Sequence, residues 1–490
     1  MSEKFYITTT LPYVNSQPHL GFALEMAQAD AIARFQKFLG KEVFFNTGTD
    51  EHGLKIYRKA QEEGKEVQKY VDEYAEKFRQ LMPALGISPD IHFIRTTDQH
   101  HIQACQEFWS RCFGNGDIYK KIYQVKYCVG CELEKTESDL NEQGKCLIHP
   151  HLEIESLEEE NYFFRFSKYE KALLEFYRKR PDFVVPDFRF KEIKEFIKRG
   201  LQDFSVSRLK AKMPWGVPVP EAPEHVMYVW FDALINYVST LGWPDQKSKF
   251  EEFWGTINNP KALQIAGKDN LRQQSAMWQA MLMSAGLPPS RQIIIHGFVT
   301  SGRQKMSKSL GNVADPYAII DRLKLKGLSQ TQAIDGLRYY LLREIPTFED
   351  GDYTWERFVE TYNANLANGL GNLVSRVLKM AVHAGIMNYE LGIRNYEENE
   401  LLATYELAKA TDVIWKKIAE CDQFIQKEEP FKVIKVNLEK AKKDIEHLLS
   451  ELHHIAINLQ PFLPQTAERI LEVLKNPRQD NIPHLFPRIT

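Results

Sequence analysis

The chain opens with a strand that breaks into a long helix, and the turn between them carries the residues of an anion site. Phe5-Tyr6-Ile7-Thr8-Thr9-Thr10 is a β-prone run that ends at Pro12. Apolar residues then recur at Leu20, Leu24, Ala27, Ala31, Ile32 and Phe35, which predicts a helix from about Leu20 to Phe38. A helix that starts beside the carboxyl end of a strand offers unsatisfied backbone N–H groups to a phosphate. The turn reads Pro18-His19-Leu20-Gly21: Gly21 lets a ligand approach the backbone, and His19 adds a donor. About 285 residues later comes Lys305-Met306-Ser307-Lys308-Ser309, expected on a loop after a strand. Its two lysines give mobile positive charge for a triphosphate. In-line attack at phosphorus needs mostly positioning and charge neutralisation. Alone, either motif could be a core histidine or a solvated Lys/Ser loop. As a pair, with Thr49-Asp50-Glu51-His52-Gly53 between them, they point to activation of a carboxylate by ATP.

Cysteine spacing adds a second constraint. Cys128-x-x-Cys131 is followed after fourteen residues by Cys146-x-x-His149, two tight turns eased by Gly130 and Gly144. Three thiolates and an imidazole are the donor set of a closed, tetrahedral structural zinc site. His151 is an alternative fourth ligand, and a disulfide is the competing reading. Cys105, Cys112 and Cys421 lie on helical patterns and are expected to pack in cores.

A chain of 490 residues implies several domains, and 43% hydrophobic content supports large cores. A net charge of −3 argues against a generally basic, sticky protein but leaves room for local nucleic-acid contacts at Arg189 to Lys212 and Arg322 to Lys326. No run of ~18 apolar residues exists to span a membrane. The first strand starts by Phe5, leaving no room for a signal peptide, so a soluble cytoplasmic protein is expected.

The expected division is an α/β, Rossmann-like parallel-sheet domain in two halves, 1–115 and 223–300, with a zinc-knuckle insertion at 116–222. The first half holds strands at Glu42–Asn46 and His92–Arg95, and the insertion a strand at Tyr162–Phe166 after the acidic stretch Glu153–Glu160. Ala262–Ala266 and Gln292–His296 read as buried strands of the second half. A loop and linker region follows at 301–353, then an all-α bundle at 354–490. There Leu438, Ala441, Ile445, Leu448, Leu452, Ile455 and Leu459 recur at helical spacing, and Pro461 and Pro464 end the run.

Several runs then resemble a known family. Thr10-Leu11-Pro12-Tyr13-Val14-Asn15, Thr47-Gly48-Thr49-Asp50-Glu51-His52-Gly53, Tyr228-Val229-Trp230-Phe231-Asp232-Ala233, His296-Gly297-Phe298-Val299-Thr300 and Arg338-Tyr339-Tyr340-Leu341-Leu342 stand as in class I aminoacyl-tRNA synthetases of the methionyl type. The resemblance covers nearly the whole chain. It implies methionylation of tRNA through methionyl-adenylate, from ATP and L-methionine, with Mg²⁺ accompanying ATP and one structural zinc in the insertion. It implies that His19, Lys305 and Lys308 act on the triphosphate. Pro18, Gly21, Phe22, Glu25, Gly267, Asp269, His296, Gly297 and Ser307 would complete the ATP site. Asp50 would pair with the amino acid's ammonium, with Leu11, Tyr13, Trp230, Tyr237, Gln273 and Gln274 around its side chain. An aromatic-lined cavity suits a polarizable thioether. The bundle would read the anticodon through Asn372, Arg376 and Phe431, by edge hydrogen bonds and stacking. A monomer is expected, since no appended oligonucleotide-binding domain follows the bundle.

Several positions depart from the family pattern. Phe22 stands where a second histidine is usual, a lost charged hydrogen bond of roughly 1.5–3 kcal/mol. Asn270, Gln273 and Gln274 follow Gly267-Lys268-Asp269, where apolar, aromatic and His residues are usual. Phe431 follows Glu429-Pro430 in place of a tryptophan. Two other readings stay open: a related synthetase for cysteine or a branched aliphatic amino acid, and a non-catalytic tRNA-binding paralogue. The short insertion weighs against the branched-chain enzymes, whose editing domain is large.

Overall fold

The computed structural model describes residues 2–131, 133–135, 139–306, 312–386, 389, 400–478, 480 and 482–490. Six strands form one parallel sheet: β1 (Lys4–Thr8), β2 (Glu42–Thr49), β3 (His92–Arg95), β4 (Val184–Val185), β5 (Ala262–Gly267) and β6 (Gln292–His296). Their order is β3-β2-β1-β5-β6-β4, every neighbouring pair parallel. β1 is central, with Tyr6 opposite Phe44 on one side and Ala262 on the other.

Side chains of a strand alternate between faces. Ile7, Phe45, Leu263, Ile265 and Ile294 enter one apolar core, while Tyr6, Phe44, Ala262, Ala266, Ile293 and Ile295 enter the other. Both faces are therefore covered, as an all-parallel sheet requires. Helix α1 (Leu20–Phe38) packs on the first face, with the predicted bounds. Helix α2 (Val229–Ser239) packs on the second. β2 runs three residues beyond its expected end because Thr47, Gly48 and Thr49 pair with Phe93, Ile94 and Arg95.

The insertion is a four-stranded antiparallel sheet dominated by the pair Ile118–Cys128 and Glu155–Phe164. Its second strand was expected only from Tyr162. It begins earlier, inside the acidic stretch, where the facing strand supplies lysines: Lys120 Nζ lies 3.4 Å from Glu160. Cross-strand charge pairs offset the poor β-propensity of glutamate.

The C-terminal region is helical, with α3 (Asn372–His383), α4 (Leu407–Glu428), α5 (Leu438–Leu459) and α6 (Pro464–Lys475). Pro464 does more than end a run: it occupies the first turn of α6, where its missing N–H costs nothing. Arg338 ties this bundle to the sheet. Fully buried, it donates to the carbonyls of Leu85, Pro461 and Phe462 and lies 2.8 Å from Asp30 on α1. Among the described residues no helix is long and apolar enough to cross a membrane.

Candidate active site

Strand order reverses between β1 and β5, and ligands of open α/β sheets bind at such a switch point, beyond the strands' carboxyl ends. A cavity of about 410 Å³ lies there. Segments following β1, β2, β5 and β6 all reach its wall, together with the first turns of α1 and α2.

At the α1 end, His19 is the N-cap, and its Nδ1 accepts the Gly21 N–H at 3.1 Å. An accepting Nδ1 places the neutral ring's proton on Nε2, which makes that atom a donor. Phe22, one turn into α1, is 7% exposed and meets Phe78 edge-to-face at 5.5 Å. The departing residue thus closes an apolar section of the wall rather than offering a donor.

The loop after β1 is fastened to the end of β2: Asp50 N–H donates to Pro12 O at 3.0 Å and Val14 N–H to Asp50 O at 3.1 Å. This brings Leu11, Tyr13 and Asp50 together on the wall, with Trp230 and Tyr237 of α2 also lining the cavity. Behind Trp230, Asp232 and His52 join two of the sequence motifs, Nδ1 to Oδ2 at 3.1 Å. Burial raises the Asp232 carboxyl while His52 opposes it.

Gly267, Asp269, His296 and Gly297 line the opposite end. His296 Nε2 donates to Glu25 Oε2 at 2.9 Å and its Nδ1 to Gly297 O at 2.7 Å. Two acceptor-type partners on one ring favour its protonated form. Burial pulls its pKa down, but Glu25 and the Gly297 carbonyl more than offset this and raise it. The other Glu25 oxygen accepts Thr10 N–H and Oγ1–H, each at 2.6 Å. One carboxylate thereby joins β1, α1 and β6. At Gly297 any Cβ would lie 2.1 Å from the Glu349 carbonyl, so only glycine permits this crossing.

Pro18 is buried outside the cavity wall. Gln273 is also buried but does not line the cavity, whereas Gln274 does. Both lie in the π-type turn Gln273–Met277. Lys305 ends the short strand Gln304–Lys305, and Ser307 and Lys308 lie outside the described residues. Two further lining residues, Asn15 and Lys55, had no assigned role in the sequence, and Asn270, one of the departing positions, also lines the cavity. Lys55 sits two residues past Gly53, and its Nζ reaches Gly130 O at 3.4 Å.

The knuckle forms as the spacing implied. One donor atom from each of Cys128, Cys131, Cys146 and His149 lies within 4.8 Å of the others. Cys131 Sγ is 3.4 Å from Cys146 Sγ and 3.1 Å from His149 Nδ1. Tetrahedral Zn–S bonds of ~2.3 Å put sulfurs roughly 3.8 Å apart, so the set fits one zinc. The cysteines are free thiols, and His151 is outside the cluster. A Cβ at Gly130 would lie 2.6 Å from His149 Cγ. Gly130 and Cys131 themselves line the cavity, so the knuckle abuts the site. Cys105, Cys112 and Cys421 are buried in cores, as expected.

In the bundle, Asn372 is exposed at the start of α3 and Arg376 one turn on is partly buried, its Nη1 2.8 Å from Asp422 of α4. Phe431 is 45% exposed in the short helix Pro430–Val433. The partner Asp422 had no signal in the sequence.

Residues 5–378 match the family described as tRNA synthetases class I (M), and residues 381–486 match the anticodon binding domain of methionyl tRNA ligase. A methionine–tRNA ligase of Thermotoga maritima is 40% identical over 98% of this chain and 77% of its own length. That of a Nostoc species is 41% identical over 96% and 89%. A Mycobacterium tuberculosis methionyl-tRNA synthetase solved with methionyl-adenylate superposes with a TM-score of 0.88 at 34% identity, over 100% of this chain and 97% of that one. The chain therefore belongs to the methionyl branch of the class I aminoacyl-tRNA synthetases.

Proposed function

We propose that this chain activates L-methionine with ATP and transfers it to the 3′ end of the methionine tRNA. The observation that carries the reading is one cavity, at the sheet's switch point, lined at once by Leu11, Tyr13, Asp50, Trp230 and Tyr237 and by His19, Gly267 and Asp269. A cation-binding carboxylate and an aromatic pocket thus face a phosphate-type helix terminus.

Asp50 takes the ammonium in a charge-assisted contact, and Leu11, Tyr13, Trp230, Tyr237 and Gln274 surround the thioether. Gly267, Asp269 and Gly297 receive the nucleoside, with Glu25 and His296 holding that wall. A carboxylate oxygen of methionine attacks the α-phosphorus, and the bond to pyrophosphate breaks. His19 Nε2–H and the N-terminal N–H groups of α1 donate to the developing charge. Lys305, Ser307 and Lys308 supply the remaining donors to the triphosphate, and Mg²⁺ accompanies it. The terminal 2′-hydroxyl of tRNA then attacks the adenylate carbonyl and AMP leaves. Asn372, Arg376 and Phe431 read the anticodon. The Cys128–His149 set holds a structural zinc that stiffens the wall at Gly130 and Cys131. The enzyme works in the cytoplasm as a monomer.

Methionine-dependent ATP–pyrophosphate exchange by the zinc-loaded chain tests this reading, with homocysteine, cysteine and leucine as comparisons. Exchange with methionine alone is expected. Exchange only with another amino acid overturns the substrate. No exchange in a folded chain that binds tRNA would favour the non-catalytic paralogue.

A further inference from the structure

The knuckle's donor set leaves a charge to be met. Three thiolates and a neutral imidazole around Zn²⁺ carry one net negative charge. The sulfurs are also unequally covered. Cys128 and Cys146 are fully buried, whereas Cys131 is partly exposed and lines the cavity. A zinc-bound thiolate is already ionised, so its reactivity follows its basicity and its access. Cys131 is therefore the ligand through which electrophiles and oxidants reach the set most easily.

The backbone brings one cation to that sulfur. Cys128-x-x-Cys131 occupies the turn of a hairpin in which Tyr127 pairs with Glu134 and Cys128 with Leu133. The ladder continues one step further, with the Lys135 N–H donating to Lys126 O at 2.7 Å. Side chains two apart on a strand share a face, and directly opposed residues share it too. Lys135, opposite Lys126, thus stands on the face of Cys128. Its ammonium donates to Cys131 Sγ, with Cys146 and Asp139 the other charged groups near it. Lys145 is the contrast. It adjoins Cys146 in sequence, yet its Nζ is given to Glu153 at 2.6 Å.

A hydrogen bond to a coordinated sulfur withdraws electron density from it and lowers its nucleophilicity. The positive charge offsets the surplus negative charge of the set, which favours the metal. Outer partners that hold metal ligands typically change metal affinity by ~10- to 100-fold when removed.

We propose that Lys135 is the counter-charge of the knuckle: through its N–H···S bond to Cys131 it tightens zinc binding and shields the most accessible ligand from alkylation and oxidation. This rests on the zinc reading above.

Zinc affinity is measured on the full chain by competition with a chromophoric chelator. Zinc release is then followed by the same absorbance after addition of iodoacetamide. Lys135→Met is expected to weaken zinc binding ~10- to 100-fold and to speed release by iodoacetamide by more than about threefold. Lys135→Arg, which keeps a charged donor, recovers most of both. Lys145→Gln removes an equal charge beside Cys146 and stays within about twofold of the wild type, as a surface charge paired elsewhere should. No change in Lys135→Met, no recovery in Lys135→Arg, or an equal loss in Lys145→Gln overturns the proposal. Should Lys135→Met fail to fold, Lys135→Gln, which keeps a donor without the charge, is read by the same two assays against the same controls. A wild-type chain that binds no zinc would instead overturn the zinc reading.

Discussion

Replacing Glu25 by glutamine changes one atom's chemistry at the junction of β1, α1 and β6, and its effects can be worked out in sign and size. The side chain is 4% exposed and accepts three hydrogen bonds. In Glu25→Gln the amide oxygen still serves Thr10 N–H and Oγ1–H. The amide NH₂ then faces His296 Nε2, which must give up its proton to accept. A hydrogen bond to a charged partner is worth about 1.5–3 kcal/mol, or roughly one to two pKa units at His296. In the wild type that pKa lies above the ordinary 6.5. Its stabilising contribution is therefore complete below pH ~6.5 and is lost as pH rises through the folded value. In the variant, burial dominates and the pKa falls below 6.5. The unfolded chain then binds more protons, and the variant loses stability as pH falls. The stability gap should widen from about pH 8 to pH 5, reaching roughly 1.5–3 kcal/mol at the acid end. Urea unfolding at several pH values measures the gap, and the His296 ring resonance reports its pKa directly. A gap independent of pH, or an unchanged His296 titration, would show that Glu25 does not hold an imidazolium.

Two other perturbations follow from contacts already described. Arg338→Met keeps apolar volume but strands Asp30 and three carbonyls, so it should cost about 3–5 kcal/mol, the range for breaking a buried ion pair. Urea unfolding measures that loss, which should shrink at low pH, where Asp30, normally held below the usual carboxylate range by Arg338 and Arg34, takes up a proton. Cys146→Ser should reduce bound zinc from one per chain to near zero by metal analysis. Because Gly130 and Cys131 line the cavity and Lys55 reaches Gly130, the methionine KM should rise while the bundle's unfolding transition stays unchanged.

What the sequence discloses and what it hides differ by the range of the interaction involved. Helix α1 shows its full span because its signal, apolar spacing after a capping turn, is local. The knuckle was legible for the same reason: four ligands at two short spacings determine their own geometry. The early start of the insertion's strand Glu155–Phe164 was not legible, because glutamates such as Glu160 find partners such as Lys120 on a strand remote in sequence. Within the site, Leu11, Tyr13, Asp50, Trp230 and Tyr237 converge as the motifs suggested, while Gln273 and Gln274 part company. Read as letters, the two glutamines are equivalent. Both lie in the π-type segment Gln273–Met277, and neighbouring residues of a helix face different ways, so only Gln274 reaches the cavity wall. Phe22 makes the complementary point. The sequence shows a donor missing from the phosphate motif, but only packing shows that the vacated position now belongs to an apolar wall with Phe78. A departure from a motif is thus a statement about two environments: the one the lost group served, and the one its replacement has joined.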